Sequence, residues 1–246
     1  MKLLAIWRLL RVGLHLITGL WLCWRVFPHL PEPQRHLRIQ VWAVDMLHAL
    51  GLTLQVKGQP ALQGPVLLVA NHISWADIAI LHASRHCRFI SKEAISRWPV
   101  IGTMADAAGT LYITRESRRD ALRVVHKMVE CLRAGDVLAV FPEGTTGDGH
   151  VLLPFHANLL QAAITANAPI QPVALRFVDG TTNTTSFSPC YKGQDTLLQS
   201  LWRTLCTKDL VAVVEFGTPE YAQGRDRRAW AEDLHQRIAE MQAQAV

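Results

Sequence analysis

From Leu52 onward, short apolar runs alternate with amphipathic stretches, and this alternation constrains the fold of the 246-residue chain more than any other feature. The runs 52–57, 66–70, 88–91, 110–114, 137–141, 170–178 and 210–216 have the length and apolar content of strands. The stretches 77–83, 117–133, 158–166 and 226–243 carry helical spacing. In the second of these, Leu122, Val125, Val129 and Leu132 fall on one face, Ser117 is placed to cap the start and Gly135 to stop the end. The last packs through Trp230, Leu234, Ile238 and Met241. The stretch 92–108 is less regular, interrupted by Pro99 and Gly102, and 179–193 reads as a long loop rich in Thr, Ser, Asn and Gly. Strands alternating with helices predict an α/β domain over 52–246, a mixed and largely parallel sheet flanked by helices.

The first 51 residues read differently. Positions 3–27 are apolar except for Arg8, Arg11, His15, Thr18 and Arg25, and these, with Leu22 filling the gap, recur at steps of three and four, one stripe on a helix. The longest uncharged run, 12–24, spans only roughly 20 Å at helical rise, short of a hydrocarbon core of about 30 Å. That predicts a helix lying in a membrane interface or dipping into one leaflet, with a tilted span and snorkelling arginines as the alternative. Pro28 to Pro33 break the helix, and 35–50 forms a second amphipathic one, so 1–51 is expected to be a membrane-associating hairpin. Charge agrees: residues 1–60 hold seven Lys/Arg and two acids, whereas the remainder balances, which favours an anionic membrane surface over nucleic acid. The five cysteines include no Cys-x-x-Cys pair, against a disulfide framework or structural zinc and in keeping with a reducing compartment.

Candidate chemistry begins at Asn71-His72-Ile73-Ser74-Trp75-Ala76-Asp77, just past the apolar run 66–70, where open α/β sheets place their ligands. His72 is suited to accept a proton, and Asp77 to hold its tautomer. Five helical positions would turn the two side chains about 140° apart, so they meet only if a turn carries His72 and Asp77 opens a helix. Alone, such a histidine is as well explained as part of a helix cap. Three further blocks accompany it: Gly109 to Arg115, with Arg115 beyond a strand; Phe141-Pro142-Glu143-Gly144-Thr145-Thr146, a strand followed by a glycine turn; and 168–175, a strand entered through Pro169 and Pro172. A metal-dependent hydrolase built on His72, Asp77 and Glu143 lacks a second histidine at ligand spacing, since His82 and His86 are i, i+4 with no glutamate motif between them. A non-enzymatic membrane lipid-binding protein would need the hairpin and a pocket but neither His72 nor Asp77.

In order and spacing, the four blocks resemble the glycerolipid acyltransferase family (PlsC-type, lysophosphatidic acid acyltransferase-like) over most of the globular part. The resemblance implies transfer of an acyl chain from acyl-CoA or acyl carrier protein to the free hydroxyl of 1-acyl-sn-glycerol-3-phosphate, at the cytoplasmic face of the cell membrane, without metal or other cofactor. His72 would be general base, oriented by Asp77. Asn71, Arg115, Glu143, Gly144, Thr145 and Thr146 would surround the acceptor, Arg115 toward its anionic group. No Gly-x-Ser-x-Gly elbow is present, so direct attack by the acceptor hydroxyl is expected, with oxyanion donors near Gly144 or the turn after Asn71. Two departures bear on the head group. Many members that use lysophosphatidic acid carry an arginine where this chain has Thr146, and a basic residue where His156 follows Pro154-Phe155. The sequence from Thr145 to Phe155 looks more like the lyso-ornithine lipid branch, whose ammonium Asp148 could meet.

Overall fold

A computed structural model describes residues 2–113 and 118–243. Among the described residues eight α-helices, α1 (Lys2–Trp21), α2 (Glu32–Leu50), α3 (Asp77–Ser84), α4 (Pro99–Ala107), α5 (Arg118–Arg133), α6 (Gln161–Ala166), α7 (Leu197–Cys206) and α8 (Arg227–Ala243), surround seven strands. The strands are β1 (Leu52–Gly58), β2 (Val66–Ala70), β3 (Arg88–Lys92), β4 (Leu111–Ile113), β5 (Val137–Val140), β6 (Ile170–Asp179) and β7 (Leu210–Phe216). They form one sheet in the order β1-β7-β6-β2-β5-β3-β4. Every neighbouring pair is parallel except β6 with β7, giving the mixed, largely parallel α/β fold expected from the alternation.

β2 lies at the centre and is buried on both faces, which is why its sequence is an unbroken apolar run rather than an alternating one. Successive side chains still part company: Val66, Leu68 and Ala70 join the core under α2, α3 and α7, while Leu67 and Val69 join the core under α5, α6 and α8. Trp230, Leu234, Ile238 and Met241 are buried as their spacing predicts.

Three elements differ from expectation. α5 buries Val129 and Leu132 and packs Val125 against the core as its spacing predicts, but Val124, Met128 and Cys131 widen the buried face and Leu122 is exposed. Helical spacing finds this face, and only docking on the sheet sets where its edges fall. Helix α7 was not legible; its Thr196 capping box with Gln199 is the signal that marks its start. The stretch 92–108 is more ordered than it reads, a 3₁₀ segment (Glu93–Arg97) leading into α4 with Pro99 at its first position, where proline is tolerated. Ser117 lies outside the described residues.

The N-terminal hairpin turns Arg8 and His15 of its polar stripe inward, while Arg11, Thr18 and Arg25 stay exposed. The Arg8 guanidinium passes over Gly51 to donate to Leu205 O at 3.0 Å and Thr207 O at 2.5 Å, the carbonyl end of α7. A side chain at Gly51, whose φ is +81°, would strike that guanidinium. His15 stacks on Trp42, and Trp42 Nε1 donates to His15 O at 3.1 Å. The outward face of α1 and the π segment after it is largely apolar, interrupted by Arg11 and Thr18: Leu3, Trp7, Leu10, Leu14, Ile17 and Trp24 are each at least 60% exposed. Helical structure continues past α1 through a π segment and a 3₁₀ turn to His29, so Pro28 does not end it. The 28 residues from Lys2 are long and apolar enough to cross a membrane, although the uncharged run within them is not. Pro33 likewise sits inside the first turn of α2, and the break falls at Leu30–Pro31.

Candidate active site

β2 and β5 are adjacent and parallel, so the segments leaving their carboxyl ends emerge side by side. The segment after β2 carries Asn71 and His72; the one after β5 carries 141–149. This is the place at which an open α/β sheet holds its site.

Asn71 is fully buried and spans to the other neighbour of β2: its Nδ2 donates to Leu175 O at 2.9 Å, and its Oδ1 accepts from Leu175 N at 2.7 Å. Both polar ends of the side chain are thereby used on β6, so Asn71 holds the turn in place rather than reaching into the site. The chain then turns, and α3 begins at Asp77, the arrangement the five-residue spacing required. Asp77 Oδ2 accepts from Ile73 N at 2.7 Å and Ser74 N at 2.9 Å, and lies 2.8 Å from His72 Nδ1. Asp77 is fully buried and its Oδ1 has no partner. Ser74 braces the same turn, donating to Pro189 O at 2.8 Å and accepting from Ala76 N.

The hydrogen-bond pattern decides which nitrogen of His72 is free to accept a proton. A carboxylate oxygen that already receives two N–H groups is an acceptor, so Nδ1 carries the hydrogen and Nε2 of the neutral ring has the free lone pair. The ring is stacked on Phe141, centroids 4.1 Å apart and planes 13° from parallel, which holds its orientation. Nε2 lies 3.0 Å from the Thr146 hydroxyl.

Two ties lash the 141–149 turn to His72. Glu143 Oε1 accepts from His72 N at 2.6 Å, and Gly147 N donates to His72 O at 2.7 Å. The other Glu143 oxygen accepts from Leu153 N at 3.0 Å, drawing in the segment beyond the turn. Burial pushes the Glu143 carboxyl above its ordinary range, opposed by these two N–H donors. Gly144 has φ of +69°, a conformation that disfavours any residue with a Cβ and accounts for the glycine in the block.

Of the residues expected around the acceptor, His72, Asp77, Glu143, Gly144 and Thr146 come together, Thr145 is exposed at the rim, and Asn71 points away into the sheet. Arg115 lies outside the described residues. The expected oxyanion donors are not met at five positions: the N–H groups of His72, Ile73, Ser74, Gly144 and Gly147 are all donated within the fold. Asp148 is exposed and its Oδ1 accepts from His150 N, a local turn contact.

Sequence reasoning did not find the chamber behind the turn. A cavity of about 330 Å³ lies among α1, α2, α3, α4 and α7, lined by Gly19, Met46, Trp75, Ile78, His82 and Leu201 with further apolar side chains. Trp75 and Ile78 join it to the segment that carries His72. At Gly19 an added Cβ would come within 3.0 Å of Trp42 and Met104, so glycine there lets the helices close over the chamber. Its lining is drawn from segments between Val12 and Leu201, which leaves no local signature. Among the described residues no group of three or more His, Cys, Asp or Glu is arranged to hold a metal ion.

Comparison with known proteins places this fold in a family. The acyltransferase family matches residues 53–176. A 1-acyl-sn-glycerol-3-phosphate acyltransferase of Neisseria meningitidis is 39% identical over 211 residues, covering 85% of this chain and 81% of that protein. A lyso-ornithine lipid O-acyltransferase of Pseudomonas aeruginosa is 35% identical over 207 residues, covering 84% and 78%. The crystal structure of the 1-acyl-sn-glycerophosphate (LPA) acyltransferase PlsC from Thermotoga maritima superposes with a TM-score of 0.72 at 20% identity, covering 98% of this chain and 96% of that one, and so shares its fold. With the matched region spanning β1 to β6 and containing both segments of the site, the chain belongs to the acyltransferase family.

Proposed function

We propose that the protein is a membrane-associated lysolipid O-acyltransferase that moves an acyl chain from a thioester, acyl-CoA or acyl carrier protein, to the free hydroxyl of 1-acyl-sn-glycerol-3-phosphate. The observation that carries this reading is His72, hydrogen-bonded to Asp77 through Nδ1 and facing a hydroxyl group through Nε2. An acceptor hydroxyl in the position of the Thr146 hydroxyl would give its proton to Nε2 while its oxygen bonds to the thioester carbonyl carbon. The carbon–sulfur bond then breaks, and the departing thiolate takes the proton back from His72. Asp77 keeps the hydrogen on Nδ1 and stabilises the imidazolium between these steps. Glu143 acts at one remove, tying His72 to the 141–149 turn and to Leu153. The apolar chamber beside Trp75 is suited to a hydrocarbon chain.

The outward apolar face of α1, with Leu37 and Val41 exposed on α2, supports docking of residues 1–51 into a lipid surface, on the cytoplasmic side where thioester donors are found.

A second acceptor has its own support. The relatives include both 1-acyl-sn-glycerol-3-phosphate and lyso-ornithine lipid acyltransferases at similar identity. Thr146 stands where an arginine would favour a phosphate. The test is to supply one acyl-CoA to the purified protein in mixed micelles and compare the two lysolipids as acceptors. Faster turnover of the lysophosphatidic acid supports the leading reading, preference for lyso-ornithine lipid selects the alternative, and no turnover of either sinks both.

A further inference from the structure

The absence of a serine elbow made direct attack the expectation, yet the fold supplies a hydroxyl of its own. Thr146 Oγ1 is 3.0 Å from His72 Nε2, and His72 Nδ1 is 2.8 Å from Asp77 Oδ2. Because Asp77 keeps the hydrogen on Nδ1, the neutral ring accepts at Nε2 and the Thr146 hydroxyl is the donor. That polarity is the one a nucleophile needs: the O–H points at the base and the oxygen lone pairs face away from it. The placement is held from both sides, since Glu143 accepts from His72 N and Gly147 N donates to His72 O, bracketing Thr146 within five residues. Access is open as well. Asp77 is sealed, but the His72 side chain is 18% exposed and Thr146 is half-buried, so a thioester carbonyl has a route to the hydroxyl.

We propose that Thr146, His72 and Asp77 form a hydroxyl–imidazole–carboxylate triad through which the protein cleaves acyl thioesters when no acceptor is bound, by way of an acyl ester on Thr146. The proposal rests on the acyl-transfer reading of the same site. Thr146 gives its proton to His72 Nε2 as its oxygen bonds to the thioester carbonyl carbon. The carbon–sulfur bond breaks, the thiolate leaves with the proton from His72, and the acyl group remains esterified to Thr146. Water, deprotonated by the same nitrogen, then adds to the ester. The carbon–Oγ1 bond breaks, Thr146 recovers its proton, and a free fatty acid departs. A lysolipid hydroxyl that displaces Thr146 from Nε2 competes with the first step; one that arrives later takes the place of water. An arginine at this position removes the nucleophile, so the activity belongs to chains that carry a hydroxyl after the Phe-Pro-Glu-Gly-Thr block.

The experiment mixes the full chain in detergent micelles with a long-chain acyl-CoA and no acceptor, following free CoA and, after acid quench, the intact protein mass. The expected result is acceptor-independent CoA release, with an ester adduct of one acyl group that maps to the peptide containing Thr146. Thr146→Val, nearly isosteric, should lower that release at least tenfold and lose the adduct, and Thr146→Ser should keep both. CoA release by Thr146→Val equal to that of the unmodified chain, or an adduct on another residue, overturns the triad and leaves Thr146 as an occupant of the acceptor hydroxyl position only. Should Thr146→Val fail to fold, the location of the adduct in the unmodified chain decides by itself. A protein that transfers to a lysolipid but shows neither adduct nor acceptor-free release refutes this proposal alone. A protein inert to the thioester with every acceptor refutes the acyl-transfer reading beneath it.

Discussion

His72 and His82 stand ten positions apart, at opposite ends of the same turn-and-helix unit, and the fold makes opposite groups of them. His72 has a partner at each nitrogen, a carboxylate on one side and a hydroxyl on the other. His82 is buried on α3 with Nδ1 unpartnered, its ring against Phe89 and stacked on His86, which itself stacks on His36. Desolvation pushes His82 down to about 4 and His86 to about 2, so both are neutral at physiological pH. A continuous run of rings, His82–Phe89–Phe141–His72, joins the two environments. The lesson is that imidazole chemistry follows from what meets its nitrogens, and of these two rings only His72 has a carboxylate at one of them.

The largest test removes the proposed base. His72→Ala should slow transfer about 10²- to 10⁴-fold, the usual worth of a positioned general base, while membrane binding is kept. Initial rates with a saturating lysolipid measure it, and a loss under tenfold would erase the distinction between the two histidines. Next is Asp77→Asn, which removes the charge that stabilises the imidazolium and lets the ring adopt the other tautomer. A fall of roughly 10²- to 10⁴-fold in kcat is expected with little change in KM for the acyl donor. Equal activity at every pH would show that Asp77 serves only to cap the turn.

Glu143→Gln probes the scaffold around His72. One carboxylate oxygen becomes an NH₂ group facing either His72 N or Leu153 N, leaving a buried donor against a donor. A loss of about 1–3 kcal/mol in unfolding free energy is expected, and unchanged stability would mean the two loops are held by other contacts.

The smallest effect sharpens the His82 side. Because the folded value of His82 is below the ordinary 6.5, the unfolded chain binds more protons between about 4 and that value. Stability therefore rises with pH across that window from this group, and falls as acid is added. His86 extends the window to about 2, and His36, also lowered by burial, adds to it. Arg35, Arg85 and Arg88 surround the stack and disfavour its protonation further, with Glu32 and Asp136 opposing them. His82→Phe should flatten the dependence of the melting temperature between pH 4 and pH 6.5 relative to the unaltered chain. An identical slope would show that the stack is already hydrated.

Much of this was legible along the chain because the signals were local. The apolar run 66–70 marked a strand buried on two faces, and the His72–Asp77 spacing demanded a turn followed at once by a helix, which is what α3 supplies. Other features needed the fold. The edges of the α5 face needed the sheet, since Leu122 shares the stripe of Val125, Val129 and Leu132 yet is exposed, while Val124 is buried. The stripe of Arg8 and His15 on α1 was visible, but which way it faced depended on the carbonyl end of α7 and on Trp42. Asn71 looked like a site residue until Leu175, 104 positions away, was seen to use both ends of its amide.

By itself, the sequence determined the class of fold, the strand ends that carry chemistry, and the histidine–carboxylate pair, since periodicity, turn residues and short spacing are properties of neighbouring positions. Tertiary structure alone decided what stands opposite His72. Thr146 is 74 positions away, and it reaches Nε2 only because β2 and β5 pair in parallel register and Glu143 and Gly147 clasp the His72 backbone from either side. Pairing between distant strands is chosen by the packing of the whole core, and His72 acquires its partner there.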